Sequence, residues 1–119
     1  MIPTLHRAIA QFDHRFPGLR TADGAAGACC WAAANFCAAV PGAHEIHLWG
    51  SRRYFPNRAD EYPAKDPGFY HCVVVIRGLA IDWTRRQLDP RAAHPFIQPA
   101  AELRRDWIRV GPTPEYLGL

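Results

Sequence analysis

One stretch of the sequence, YHCVVVIRGLAIDWT, constrains the fold more than any other feature of the chain. Two runs rich in β-branched and apolar residues flank Arg77-Gly78, and such a two-residue break is typical of a tight β-hairpin. His71 opens the first run, and Asp82 ends the second. The stretch therefore predicts a buried hairpin that carries a polar residue near the open end of each strand.

The register of this hairpin decides whether the two polar side chains meet. If Arg77 and Gly78 form a two-residue turn, counting back along both strands places His71 opposite Thr84. Side chains alternate between the two faces of a sheet, so His71 and Asp82 then share a face as diagonal neighbours. A carboxylate in that position can orient an imidazole. A three-residue turn would put the two side chains on opposite faces.

The rest of the chain predicts an α+β fold. The alanine-rich segment ACCWAAANFCAAV contains almost nothing polar except Asn35, and we expect a central helix that is buried on nearly every side. We expect this helix to pack on a small antiparallel sheet of three to five strands. The predicted elements are helices over 4–15, 28–40 and 99–107, strands over 45–55, 70–76, 79–83 and 107–110, a long surface loop over 56–68, and an extended or turn-like segment over 89–99.

Size and charge limit the kinds of partner. A chain of 119 residues is expected to form a single domain over 1–119. Its net charge is only +3, and the arginines are scattered among acidic residues, which argues against a nucleic-acid partner. No apolar run reaches the roughly 20 residues that a membrane span needs, and the first residues lack the apolar core of a signal peptide. We therefore expect a cytoplasmic protein, or one that is exported without a Sec-type signal peptide.

The four cysteines predict thiol chemistry at the start of the central helix. Cys29 and Cys30 stand at its first turn, where unpaired backbone N–H groups and the helix dipole lower the pKa of a thiol and can also bind an oxyanion. Cys37 and Cys72 fall in mid-helix and mid-strand and are expected in the core. Neighbouring cysteines on one helix are poor disulfide partners, so all four are expected to be free thiols.

Three features together resemble the papain-like cysteine hydrolase superfamily, in particular its small bacterial members. They are the run GACCWAAANF, a His that opens a strand some forty residues later, and the run IDWTRRQLDP. The tail of the pattern, DWTRRQLDPRAAHPFIQP, is similar to an Asp-x-Thr-x-x-Gln signature of such proteins. The resemblance covers residues 27–99 and implies a single papain-like domain. It makes Cys29 or Cys30 the nucleophile, His71 the general base and Asp82 the residue that orients His71. The helical register favours Cys29, whereas the Cys-Trp-Ala run favours Cys30, and the choice stays open.

The sequence also departs from this family. Papain-like enzymes use a Gln before the Cys for the oxyanion hole, and TADGAAG contains none, so Gln87 or backbone N–H groups would have to substitute. Ala33 stands where small members often carry Ser. We expect Thr84 and Gln87 to support the chain where it leaves the sheet, and Trp83 to shield the His71–Asp82 pair from water.

The expected function is a thiol-dependent amide hydrolase, either a protein deamidase or a peptidase, with a Cys-His-Asp triad and a protein or peptide as substrate. The alternatives are a catalytically inactive papain-like binding module and a transglutaminase-type acyl transferase. A toxin or effector role would rest on analogy alone. No cofactor is expected. No metal site is expected either, because His44 and His47 would lie on opposite faces of a strand.

Overall fold

A computed structural model describes residues 2–54 and 70–115 of the chain. The loop predicted over 56–68 lies outside the described residues. The helices are α1 (Ile2–Arg15), α2 (Ala22–Ala25), α3 (Cys29–Ala39) and α4 (Leu103–Asp106); the strands are β1 (His44–Ser51), β2 (Tyr70–Ile76), β3 (Leu79–Asp82), β4 (Phe96–Pro99) and β5 (Trp107–Gly111); and short 3-10 turns cover Pro17–Arg20, Arg85–Gln87 and Ala100–Glu102.

The strands form one five-stranded antiparallel sheet in the order β4-β3-β2-β1-β5. The predicted hairpin is confirmed, since Ile76 pairs with Leu79 across the turn. Arg77 and Gly78 both have positive φ, at 53° and 78°, as in the two-residue turns that match the twist of a hairpin. The α+β prediction, with the cysteine-bearing helix packed on a small antiparallel sheet, is confirmed as well.

The sheet has a layer of packing on each face. One core joins α1 and α3 to Cys72, Val74 and Ile76 of β2. The second core lies on the other face, where Val73 packs with Leu103 and Trp107. Even-numbered side chains of β2 thus face the cysteine-bearing helix, and odd-numbered ones face away from it. We call these two surfaces the helix face and the far face.

One prediction about an individual element is wrong, and another was less specific than the structure. Helix α3 is not buried on nearly every side, because Trp31 is 49% exposed and only Ala32, Ala33 and Phe36 are buried. Alanine favours helix formation without needing burial, so an alanine-rich helix can keep an open side. The segment predicted to be extended or turn-like contains strand β4, which forms an edge of the sheet and ends at Pro99. An edge strand tolerates proline because one side of its backbone forms no ladder.

Across the described parts of the chain, none of the helices combines the length and the apolar composition that crossing a bilayer requires.

Candidate functional site

His71 and Asp82 meet as the hairpin register predicts. Nε2 of His71 lies 2.8 Å from Oδ2 of Asp82, and the two side chains are 2% exposed. The imidazole stacks on Trp107 with ring centroids 5.4 Å apart and an angle of 5° between the planes. Trp83 packs in the other core, against Phe12, so Trp107 is the indole that covers this pair.

The Asp82 carboxylate has two further partners. Its Oδ2 also accepts a bond from Nε of the buried Arg85 at 2.9 Å, and its Oδ1 accepts the backbone N–H of Thr84 at 3.0 Å. Burial alone would raise the pKa of this carboxyl, but His71, Arg85 and the Thr84 amide together hold the pKa below its usual value. Asp82 is therefore ionised at neutral pH and forms the centre of a buried polar network.

Gln87 forms a hydrogen bond to the second nitrogen of the His71 imidazole. Its Nε2 lies 3.1 Å from Nδ1 of His71, and its Oε1 accepts the backbone N–H of Gly27 at 3.2 Å. The amide therefore donates to Nδ1, which leaves the proton of the neutral ring on Nε2, where it is donated to Asp82. Gln87 also reaches Oγ1 of Thr84 at 3.3 Å. Gln87 thus contacts both His71 and Gly27, and Thr84 contacts Asp82 and Gln87; the supporting role of these two residues stays a prediction.

The predicted nucleophiles lie on the other side of the sheet. His71 shares the far face with Val73, whereas Cys29 packs into the core on the helix face. Among the described residues, no hydrogen bond joins the His71 ring to Cys29 or Cys30, and both of its nitrogens are held by Asp82 and Gln87. The structure therefore brings together His71 and Asp82, but neither cysteine with them. The catalytic roles of the four residues stay a prediction.

The two adjacent cysteines differ in their surroundings. Cys29 shares the inner side of α3 with Ala33 and Phe36 and is partly buried. Burial, together with the neighbouring Cys30 thiol, raises the pKa of Cys29 to about 12, so this thiol stays protonated at neutral pH. Cys30 is exposed at the first turn of the helix. The helical register that favoured Cys29 is the one that directs its side chain into the core.

Cys30 begins a chain of hydrogen bonds on the helix face. Its thiol donates to the phenol of Tyr70 at 3.6 Å, and the phenol in turn bonds to Nδ1 of His47. Burial lowers the pKa of His47, so its imidazole is neutral at pH 7 and can accept a proton. Burial raises the pKa of Tyr70, which keeps the phenol protonated. These three side chains, Cys30, Tyr70 and His47, form what we call the thiol relay.

Neither Tyr70 nor His47 was predicted from the sequence to take part in thiol chemistry. Tyr70 lies on the same face of β2 as Cys72, and His47 is the direct partner of Cys72 on β1. Counting by two along β2 could have placed Tyr70 beside Cys72. The position of His47 depends on the pairing of two strands that are separated by the segment 52–69, and alternation within one strand does not give that pairing.

A second group on the helix face contains potential metal ligands. One donor atom from each of Glu45, His47 and Cys72 lies within 4.8 Å of the other two. His44 is not part of this group, because it pairs with Val75 and belongs to the far face. The expectation that His44 and His47 lie on opposite faces is thus confirmed.

An apolar groove opens beside the start of α3. It has a volume of ≈ 450 Å³, and its lining includes Phe16, Leu19, Ala28 and the exposed Trp31. The rings of Phe16 and Trp31 meet edge to face with centroids 5.0 Å apart. The groove therefore adjoins the turn of helix that carries Cys30.

These features define the chain as an α+β protein whose thiol-bearing helix packs on a five-stranded antiparallel sheet, with a buried His-Asp network on the opposite face. No family model, no curated protein and no solved structure matches it.

Proposed function

We propose that the protein is a thiol-dependent amide hydrolase on a papain-like scaffold, with Cys30 as the nucleophile. The observation that carries the proposal is the thiol relay, in which an exposed thiol at a helix start is hydrogen-bonded through Tyr70 to a neutral, buried imidazole. A nucleophile needs a base within hydrogen-bond reach, directly or through one intervening group. The relay supplies such a base on the same face of the sheet as the thiol.

The relay gives a balanced route to the acyl-enzyme. As the sulfur of Cys30 attacks the amide carbonyl, its proton passes to the Tyr70 oxygen while the phenol proton passes to Nδ1 of His47. The tetrahedral oxyanion would be stabilised by backbone N–H groups in the first turn of α3, because Ala28 offers no side chain to cap them. The proton returns by the same route to the leaving amine or ammonia. Water then hydrolyses the thioester to a carboxylate and restores the Cys30 thiol.

The surroundings of the helix start support a protein or peptide substrate. The groove lined by Phe16 and Trp31 can take an apolar side chain next to the reacting amide, as substrate sites commonly do. Deamidation of a side chain and cleavage of a peptide bond share the same first step. Transglutamination differs only in that an amine replaces water in the second step. The four free thiols suit a reducing compartment, which favours the cytoplasm or export without a Sec-type signal.

His71 and Asp82 take a positioning role in this proposal. Through Gln87 they hold the backbone of Gly27, which lies two residues before the start of α3. A triad in which His71 itself accepts the thiol proton would need the imidazole to leave Gln87 and reach the helix face.

A papain-like binding module without chemistry is the second candidate. The observation that favours it is that both ring nitrogens of His71 are bonded within the fold.

The test is the rate at which iodoacetamide alkylates each cysteine at pH 6, read by peptide mass spectrometry in variants with native circular dichroism. We expect Cys30 to react roughly tenfold faster than Cys29, and Tyr70→Phe to slow Cys30 by about tenfold because proton transfer to His47 is cut. Tyr54→Phe is the matched control, since the Tyr54 hydroxyl also bonds to ionisable side chains but lies away from the relay.

The remaining outcomes separate the candidates. If Tyr70→Phe does not slow Cys30, the relay is wrong, whatever the effect of His71→Gln. Slow, equal alkylation of both cysteines in the unmodified protein contradicts the enzyme and favours the binding module. Hydrolysis of glutamine-containing peptides that disappears in Cys30→Ser would establish the reaction and distinguish deamidation from cleavage.

A further inference from the structure

Three potential metal ligands are fixed to two adjacent strands by the sheet itself. Glu45 and His47 lie two residues apart on β1, so their side chains point to the same face. Cys72 is the direct cross-strand partner of His47 on β2. Strand positions hold their side chains more rigidly than loop positions do, and a metal site needs such rigidity.

The donor atoms suit one kind of ion. An imidazole nitrogen, a thiolate sulfur and a carboxylate oxygen together form a typical ligand set for zinc, whereas calcium and magnesium take oxygen ligands. Tetrahedral zinc with ordinary bond lengths holds its ligand atoms ~3.5 Å apart. The donor atoms of Glu45, His47 and Cys72 already lie within 4.8 Å of one another, so side-chain shifts of roughly 1 Å would close the site.

The polar contact between Cys72 and Glu45 in this group is long. Sγ of Cys72 lies 4.0 Å from Oε1 of Glu45, the upper limit for a hydrogen bond to sulfur, although Cys72 is only 2% exposed. The phenol of Tyr70 bonds to Nδ1 of His47 and fixes the orientation of that ring, as groups behind a metal-binding histidine commonly do. Cys30 bonds to the same phenol from the exposed end of the group.

We propose that Glu45, His47 and Cys72 bind one zinc-type divalent ion and leave its fourth position open. Ion binding replaces the thiol proton of Cys72 and places the metal between β1 and β2 under α3. It also engages His47, so metal binding would block the thiol relay; this consequence alone rests on the proposed function. The site itself requires no catalysis and is tested without it.

The experiment titrates the reduced, chelator-treated protein with Co(II), whose tetrahedral thiolate complexes absorb in the visible range, and then displaces Co(II) with Zn(II). We expect one equivalent to bind with a thiolate-to-cobalt band. Cys72→Ser and Glu45→Gln should weaken binding by roughly 100-fold or more. His44→Gln and Cys37→Ser are the matched controls, because the first removes an imidazole from the far face and the second removes a thiol outside the group.

Absence of a thiolate band in the unmodified protein overturns the proposal. Loss of binding in His44→Gln equal to that in Glu45→Gln also overturns it, because the ligands would then lie on the other face. Glu45 is only half-buried, so Glu45→Gln stays informative if Cys72→Ser does not fold. Metal binding that leaves alkylation of Cys30 unchanged would overturn the expected block of the thiol relay. Failure of the thiol relay in the alkylation test leaves the metal result unaffected.

Discussion

Replacing Asp82 with asparagine should destabilise the protein strongly. The carboxylate accepts bonds from His71, Arg85 and the Thr84 amide, and all of these groups are buried. An asparagine keeps the shape but not the charge, and its NH₂ group must face at least one of these donors. Breaking a buried ion pair by removing one partner costs about 3–5 kcal/mol because the other charge stays buried.

This loss of unfolding free energy can be converted to a change in melting temperature. An unfolding entropy of about 2.1 cal/mol/K per residue gives ~0.25 kcal/mol/K for a domain of this size, so the melting temperature should fall by ~12–20 °C. Differential scanning calorimetry at pH 7 measures it. Asp13→Asn is the control, since the Asp13 carboxylate pairs with the exposed Arg20 and lies 3.4 Å from Nε2 of His94, and these contacts are more open to solvent than those of Asp82, so the melting temperature should shift less.

The same substitution has a defined pH dependence. The folded pKa of Asp82 is lowered, so the unfolded chain binds more protons in the range between the two pKa values, and stability falls as the pH falls through that range. The contribution is fully present above ~3.9, the ordinary pKa of aspartate, and is lost below it. The difference between the unmodified protein and Asp82→Asn should therefore shrink in acid. A melting temperature within a few degrees of the unmodified protein at pH 7 would refute this view of the network.

The other predictions concern backbone conformation. Arg77 holds a φ of 53°, so Arg77→Asn should stabilise the hairpin by ~0.5–1 kcal/mol in urea unfolding, because asparagine tolerates this conformation better; a loss of stability would contradict the assigned turn. Gly50→Ala should destabilise more than Gly42→Ala. Both positions have positive φ, but a Cβ at Gly50 would lie 2.9 Å from the Ile108 side chain, while a Cβ at Gly42 meets nothing within 4 Å. Equal urea midpoints for the two variants would contradict the close approach at Gly50.

The hairpin could be predicted because its turn fixes the pairing of the two strands on either side of it. Once Arg77 and Gly78 form a two-residue turn, alternation places His71 and Asp82 on the same face. The alternation of side chains could not predict which face of the sheet α3 covers. The strand that carries His71 is apolar on both faces, with Cys72 and Val74 on one and Val73 and Val75 on the other, so the sequence carries no contrast between them.

The exposure of α3 was unpredictable for a related reason. Alanine counts as apolar in a sequence pattern, yet its small side chain gains little from burial and serves the helix equally well in water. Strand β4 was predicted only as part of an extended or turn-like segment because prolines border it, and prolines are compatible with a strand only at an edge of the sheet. The position of His47 required the strand pairing itself.

Gln87 bonds to both His71 and Gly27, so a change in the charge of the His71 ring would affect the backbone of Gly27. A doubly protonated ring would present an N–H at Nδ1, and the Gln87 amide would have to turn over to offer its oxygen. Its NH₂ group would then oppose the N–H of Gly27, which has this side chain as its acceptor. Adding one proton to His71 on the far face would thus break the hydrogen bond between Gln87 and Gly27, which holds the segment before α3. The NMR resonance of the Gly27 amide would report this change directly.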